Sequence, residues 1–400
     1  MKKLSLIFVS VLSVVACSDS GNDLEPEVAC PEYATLSTQK NYCAEGTPSF
    51  AVTEACQIEV ASPTRLALTT TDFSTGSLDI VTTATRSVAR DVQSETTDSV
   101  SFYAKGLLYI LGRFGFDRLD VLDGTTLALQ HQISLKDQCA TSVNPQSVAV
   151  RDDGVVFVPT YADTDIQIID LTKAAGNNLV GRIPMQQYAD ADGIPELGLS
   201  ITCGSTVFIS AQRLDRNNAF AATGVEYLVP VDVSTCGTQE TPISFLGNNA
   251  KQARADRADA DGRTALILTS GIERVNFATQ SVSWAVSADA FAAAGVSGFQ
   301  LQSFDVVDAT TAYVAAYAED FQSVDILRVS LEGAFAPLRV ITGLNAVEKT
   351  LEVIGTELWF GDSTFGSEGL RVYDLTQDPP VEIGPALATG LPPYSIIALP

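Results

Sequence analysis

Residues 145–173, PQSVAVRDDGVVFVPTYADTDIQIIDLTK, carry three short apolar runs separated by polar turns. Residues 147–150 come first, followed by a tight turn at Asp152-Asp153-Gly154. Residues 155–159 form the second run. A polar loop leads to the third, residues 166–169, which runs into Asp170-Leu171-Thr172. Runs of this length, rich in Val and Ile and bounded by Asp and Gly, predict strands rather than helices.

The unit recurs along the chain. A strand ending in an Asp-x-x-Thr-like corner is found at Asp72/Thr75, Asp123/Thr126, Asp170/Thr172, Asp232/Thr235, Asn276/Thr279 and Asp374/Thr376. A degenerate copy lies at Ser330-Leu-Glu-Gly333. Asp, Asn and Thr side chains bond to turn amides and stop a strand, which gives the corner its physical basis. Seven copies spaced by about 44 to 62 residues match a four-stranded propeller blade. A second repeated corner, at Asp152-Asp153-Gly154, Gly204-Ser205, Asp261-Gly262, Asp308-Ala-Thr and Gly355-Thr, joins the first two strands of a blade.

The chain ends match each other. Pro393-Tyr394-Ser395-Ile396-Ile397-Ala398 is similar to Pro145-Gln146-Ser147-Val148-Ala149-Val150, an innermost strand, yet nothing follows it to complete a blade. It is expected to close the ring by joining the first blade, whose outer strands are then residues 65–71 and 77–83. Closure of this kind removes sheet edges. The expected fold class is therefore all-β, a seven-bladed β-propeller of four-stranded antiparallel blades over residues 64–400. Residues 29–63 are expected to form a Cys-containing N-terminal segment, with a strand near residues 57–61. Residues 288–294 read as a short helix or loop insert.

The units carried by Ser147-Val-Ala-Val, Asp153-Gly154-Val-Val-Phe-Val-Pro, Ile166-Gln-Ile-Ile-Asp170 and Ala258-Asp-Ala-Asp-Gly262-Arg-Thr-Ala-Leu-Ile-Leu resemble the YVTN-type, surface-layer-like propellers. The resemblance covers roughly residues 63–400 and implies the seven-bladed architecture. It does not imply an activity, since propellers host enzymes and binding scaffolds alike.

Composition adds an address. Lys2 and Lys3 precede an apolar run at residues 4–15 that is too short to span a bilayer, so residues 1–16 read as a signal peptide. Val14-Val15-Ala16-Cys17 resembles a bacterial lipobox, which implies lipidation of Cys17 and a tether over residues 17–28. Ser18, rather than Asp, after the Cys favours the outer membrane of a bacterial cell envelope. The formal charge is −24, and loss of Lys2 and Lys3 with the leader makes it two units more negative. Such a surface repels nucleic acid and favours cations or basic partners.

Without Cys17, six cysteines remain: Cys30, Cys43, Cys56, Cys139, Cys203 and Cys236. An even number in an oxidising compartment allows three disulfides. Cys203, at the first corner of the fourth blade, and Cys236, after that blade's third strand, fall on one face, where a bond between them is geometrically allowed. Cys139 lies in an inter-blade loop on the other face and is expected to take one of Cys30, Cys43 or Cys56, clamping the N-terminal segment there.

Propeller ligands bind at the channel mouth, on loops between second and third strands and at the start of innermost strands. The loop candidates are Arg113, Asp117, Tyr161, Asp163, Asp165, Arg213, Asp215, Arg216, Glu273, Arg274, Glu319, Asp320, Asp362 and Glu368. The innermost-strand candidates are Asp98, Gln146, Asp256, Gln302 and Tyr394. Asp190 and Asp192, in Ala-Asp-Ala-Asp-Gly with Glu196 nearby, have the look of a calcium loop, but lack the further oxygen ligands of an EF-hand. His131 is the only histidine and falls on an outermost strand, so a His-based triad or His-rich metal site is not expected. With two Trp and two Met, quinoprotein and copper signatures are absent.

These observations predict a monomeric, lipid-anchored envelope propeller that binds a protein or a small polar ligand and needs no cofactor. One alternative is a carboxylate-based, calcium-assisted hydrolase or lyase working in the channel. Another is an accessory role in metal or siderophore uptake.

Overall fold

The structure is a computed structural model that describes residues 42–60, 62–136, 142–318, 323–332, 336–344 and 351–400. The signal peptide, Cys17, the tether, Cys30, Cys139, Glu319 and Asp320 lie outside the described residues.

Seven antiparallel four-stranded blades form a ring. The third blade, built from the stretch 145–173, orders its strands Ala149–Val150, Val156–Pro159, Asp165–Ile169 and Leu179–Pro184 from the channel outward. The second blade is Ser99–Ala104, Leu107–Gly112, Arg118–Asp123 and Leu129–Ser134. The fifth is Gln252–Ala255, Thr264–Leu268, Ile272–Asn276 and Ser281–Val286. The sixth is Leu301–Val306, Thr311–Tyr317, Val324–Ser330 and Leu338–Leu344. The seventh is Leu351–Ile354, Glu357–Asp362, Gly369–Asp374 and Val381–Glu382. In the fourth blade, Leu197–Cys203, Thr206–Ala211 and Tyr227–Asp232 are followed by an outer strand in two pieces, Gly237–Thr238 and Ile243–Ser244. The single α-helix among the described residues, Ala288–Ala293, lies between the fifth and sixth blades, as the sequence predicts.

The C-terminal strand, Pro393–Leu399, pairs with Arg65–Thr71 and closes the ring. One detail of the first blade differs from expectation. Its order is Pro393–Leu399, Arg65–Thr71, Gly76–Thr82 and Ser87–Glu95, so an outermost strand follows the two anticipated outer ones. The Asp72 corner therefore joins the second and third strands, whereas the Asp123 and Asp374 corners join the third and fourth. The corner chemistry is the same at each. Asp123 Oδ1 accepts from Thr125 N, Thr126 N and Thr126 Oγ1, and Asp374 Oδ1 accepts from Thr376 N and Oγ1. An Asp at the end of any strand caps a turn equally well, so the motif does not say which corner it occupies.

The core lies between blades. Leu66 and Leu68 face the seventh blade with Trp359 and Leu370, while Ala67 faces the second with Leu108 and Ile110. Alternate residues of one strand thus serve two apolar layers. This is why the inner strands read as continuous apolar runs. Leu66 and Leu68 are fully buried, each contributing ~1.5–3 kcal/mol through burial.

An up-and-down blade sends its turns alternately to two faces. The upper face carries the loops between second and third strands and the inter-blade connections. The lower face carries the other two turns, including Gly154 and Gly355, whose φ of +86° and +60° fit the glycine-favoured left-handed region.

The N-terminal segment crosses the lower end of the channel. Strand Cys56–Gln57 adds to the inner edge of Leu197–Cys203, and Cys56 N donates to Gly262 O in the fifth blade. Glu59 accepts from Ala255 N and pairs with Arg257, and Val60 packs against the apolar cluster shared by the seventh and first blades, which contains Trp359 and Ile396. Two disulfides hold the segment, Cys43–Cys236 and Cys56–Cys203. Cys203 and Cys236 are thus bonded to the segment and not to each other. Both described bonds lie on the lower face and take Cys43 and Cys56, whereas the clamp expected through Cys139 falls outside the described residues. The turns of Cys203 and Cys236 do share a face, but the segment passes between them and takes both.

Candidate functional site

The upper mouth of the channel opens into a cavity of about 370 Å³. Its wall comes from innermost strands of several blades. Gln146 precedes Ala149–Val150, Gln252 begins Gln252–Ala255, Gln302 is the second residue of Leu301–Val306, and Ser101 and Ser395 lie on the innermost strands of the second and first blades. Gln212, Asn249, Lys251 and Tyr161 project from the loops above.

Arg113 organises one side. It follows the second strand of its blade, and its guanidinium reaches Asp98 Oδ1 (Nε, 3.1 Å), Gln146 Oε1 (Nη1, 3.0 Å) and Tyr394 OH (Nη2, 2.7 Å). Tyr394 OH in turn donates to Asp98 Oδ1 at 3.0 Å. One arginine thus ties together the first, second and third blades. Gln146 Nε2 donates to Asn144 Oδ1 at 2.9 Å.

On the other side, Gln212 Nε2 donates to Ala250 O at 3.0 Å. Lys251 Nζ donates to the carbonyls of Leu301 and Phe299, and Gln252 Oε1 accepts from Phe304 N at 2.9 Å. Gln302 Nε2 donates to Phe299 O at 3.4 Å and Gln300 O at 3.3 Å. The two cations are thus committed to protein acceptors, and the wall between them alternates side-chain amides with the apolar Val100, Phe102, Leu199 and Ala250. Burial pushes the Tyr161 phenol up to about 12, with the Glu196 charge adding to the effect. It remains a neutral hydroxyl at any physiological pH.

The acidic candidates have a different place. Asp117 Oδ1 accepts from Val143 N, Asn144 N and Ser142 Oγ, fastening the inter-blade loop that presents Gln146. Glu226 accepts from Ala250 N through both oxygens at 3.2 and 3.1 Å, and Glu273 accepts from Leu246 N, Gly247 N and Thr269 Oγ1, each at 2.8 Å. Asp79 accepts from Gly390 N at 2.8 Å. Each carboxylate sits at or just before a third strand and reaches across to an inter-blade loop. The inward-turned N–H groups of these loops need acceptors, and carboxylates supply them. Burial pushes Glu226 up to about 8 and raises Glu273.

The remaining candidates stand away from the cavity. Asp163 and Asp165 meet Arg182 of the outermost strand in their own blade, at 3.2 and 3.5 Å. Arg213 lies 4.6 Å over the Tyr227 ring, and Asp215 caps a short 3-10 turn through Asn217 N. Glu273 and Arg274 belong to strand Ile272–Asn276 rather than to a loop, and Arg274 pairs with Asp256 at 2.6 Å. Asp256 follows its innermost strand instead of opening it; Gln252 takes the mouth position. Asp362 pairs with Arg371 at 2.6 Å. Asp192 accepts from Ile194 N and Arg216 N, and Asp190 accepts from Asp192 N. No group of three or more His, Cys, Asp or Glu side chains suited to a metal is found among the described residues.

Of the charged loop candidates, Arg113 alone lines the mouth, together with Gln146, Gln302 and Tyr161 from the sequence reading. Ser101, Gln212, Asn249, Lys251 and Gln252 were not foreseen. A signal for some of these exists in the repeat, because Gln146-Ser147, Gln302-Ser303 and Tyr394-Ser395 occupy equivalent places in three blades.

Beneath the cavity, Arg254 is fully buried between Asp305 (3.1 Å) and Glu352 (2.8 Å), all three on innermost strands. Burial raises both carboxyls, Glu352 to about 8, with the Arg254 charge opposing the shift. This cluster and the N-terminal segment around Glu59 line the lower end of the channel.

No family model matches the chain, and no curated protein matches it. Solved structures do. A protein from Lactobacillus plantarum superposes with a TM-score of 0.56 at 12% identity, over 84% of this chain and 100% of its own. A functionally unknown protein from Desulfotomaculum acetoxidans superposes at 0.50 with 14% identity, over 84% of this chain and 99% of its own. Likeness at this level of identity concerns the propeller fold alone.

Proposed function

We propose that this chain is a binding propeller of the bacterial cell envelope, tethered through a lipid on Cys17, that takes a small polar ligand at the upper channel mouth without transforming it. The observation carrying the reading is the set of side-chain amides of Gln146, Gln212, Gln252, Gln302 and Asn249, interleaved with Val100, Phe102 and Leu199, around a cavity within the size range of ligand sites. The carboxylates that a channel hydrolase or lyase would use are engaged with loop N–H groups or with arginines. A concave wall rich in amides, with the carboxylates near the channel engaged among the described residues, favours binding over turnover.

A thermal-shift screen of small polar compounds tests this reading. A compound that stabilises the wild type and fails to stabilise Gln252→Ala supports the mouth as the site. Equal stabilisation of both proteins contradicts it. The tether is tested separately: incorporation of labelled fatty acid in the wild type and its loss in Cys17→Ser is the expected result, and label retained in Cys17→Ser refutes it.

A further inference from the structure

The described residues include six exposed phenylalanines: Phe73, Phe114, Phe116, Phe220, Phe299 and Phe365. Isolated exposed apolar side chains are ordinary. Their distribution is not, because all six stand on upper-face loops. Phe73, Phe114, Phe116, Phe220 and Phe365 lie in loops between second and third strands, and Phe299 lies in an inter-blade connection. None stands on a lower-face turn. Phe365 is 98% exposed and Phe299 is 70% exposed.

Three of the six are coupled to the mouth. Phe73 meets the Tyr394 ring edge-on, with centroids 6.0 Å apart. Phe114 N donates to Asn144 Oδ1, the same atom that holds Gln146. The Phe299 carbonyl accepts from Lys251 Nζ and Gln302 Nε2. Aromatic rings therefore rise from the backbone that positions the amide wall.

The wall has its own specificity. A side-chain amide donates and accepts at once, as a hydroxyl does. Arg113 and Lys251 spend their donors on Asp98, Gln146, Tyr394 and backbone carbonyls, so the wall holds no cation reserved for an anionic ligand. Ser101 belongs to the cavity lining, with its Oγ shielded inside the wall.

Resting on the reading of the mouth as a ligand site, we infer that its ligand is a neutral carbohydrate chain. The terminal sugar sits in the amide wall, and following sugars lie against the phenylalanines of the upper face. Sugar hydroxyls match groups that both donate and accept. The C–H face of a pyranose packs on an aromatic ring through dispersion and loss of water. The formal charge of −24 disfavours anionic polysaccharides by long-range repulsion, which leaves neutral chains.

Isothermal titration of the intact protein tests the inference. The probes are cello-, malto-, laminari- and chito-oligosaccharides, the matching monosaccharides, an oligogalacturonate, and a set of amino acids and dipeptides. The expected result is binding of at least one neutral oligosaccharide, weakened about tenfold or more in Gln252→Ala or Gln302→Ala. Phe299→Ala and Phe365→Ala, which remove exposed rings without touching the Arg113–Tyr394 contact, should weaken the oligosaccharide about threefold or more and leave its monosaccharide unchanged. The two Gln variants guard against misfolding of either one, with thermal unfolding as the control.

Preference for the oligogalacturonate overturns the inference, as does neutral-sugar binding that none of the variants affects. An amino acid or dipeptide that binds and is lost in Gln252→Ala, with no sugar bound, overturns the carbohydrate and keeps the mouth. Absence of all binding overturns both. Crosslinking of the upper face to an envelope protein through a photoreactive group at position 299, with no sugar bound, replaces the carbohydrate with a protein partner.

Discussion

Cys56 and Cys203 stand directly opposite each other in a two-residue antiparallel pairing, with Cα atoms 4.0 Å apart and a disulfide between them. The bond fixes the N-terminal segment to the channel edge of the fourth blade. The Cys43–Cys236 bond fixes it again at the rim of the same blade. Non-reducing peptide mapping should recover these two linked pairs; a Cys203–Cys236 peptide would refute the arrangement. The bonds close loops of 147 and 193 residues in sequence separation. Loops of that length imply that removing either bond costs about 2–5 kcal/mol. Equilibrium unfolding of a Cys56→Ala, Cys203→Ala double variant measures this cost.

Glu226 and Glu352 set a dependence on pH. Burial raises both from an ordinary value of 4.5 to about 8. Between these values the folded chain holds protons that the unfolded chain has released. Stability from these groups is therefore complete below about pH 4.5 and falls as pH rises through about 8. The protein should unfold at a lower temperature at pH 8.5 than at pH 5.5. Self-repulsion of the acidic chain acts in the same direction, so the variant decides. Glu226→Gln keeps the acceptor for Ala250 N and removes the titration. It should flatten the decline, and an unchanged slope would show that Glu226 ionises normally.

Asp117 is fully buried and serves the mouth indirectly, through the loop that carries Asn144 and Gln146. Asp117→Ala leaves Val143 N and Asn144 N without their acceptor and should cost about 2–3 kcal/mol. It should also speed amide hydrogen exchange at residues 142–146 more than in the blades themselves. Uniform acceleration across the ring would indicate a purely global effect.

The blades were legible because each inner strand must bury both faces between neighbours. The resulting apolar runs, cut by Asp- and Gly-containing corners, survive in the sequence. Ring closure by residues 393–399 was legible for the same reason, as an innermost strand without a blade. Residues 42–60 were legible only as a cysteine-pinned segment with a strand near residue 57, and their bond partners were not, because cross-links and single contacts hold them rather than a periodic pattern. Their only strand is Cys56–Gln57, too short to leave a period. The site was partly misread for a physical reason too. Carboxylates such as Asp117 and Glu273 look like solvent-facing loop residues in sequence, yet inter-blade loops fold over them and the loop N–H groups consume them. Neutral Gln252 carries no charge signal, although it occupies an innermost-strand position like those of Gln146 and Gln302.

The central claim is that the upper mouth holds a ligand. Native mass spectrometry of the full-length protein, released gently from the envelope of the cell that makes it, addresses that claim most directly. The account predicts an added small-molecule mass on the wild type that is absent from a Gln252→Ala, Gln302→Ala double variant of equal thermal stability. An added mass that persists in the double variant, or none on the wild type, would contradict it.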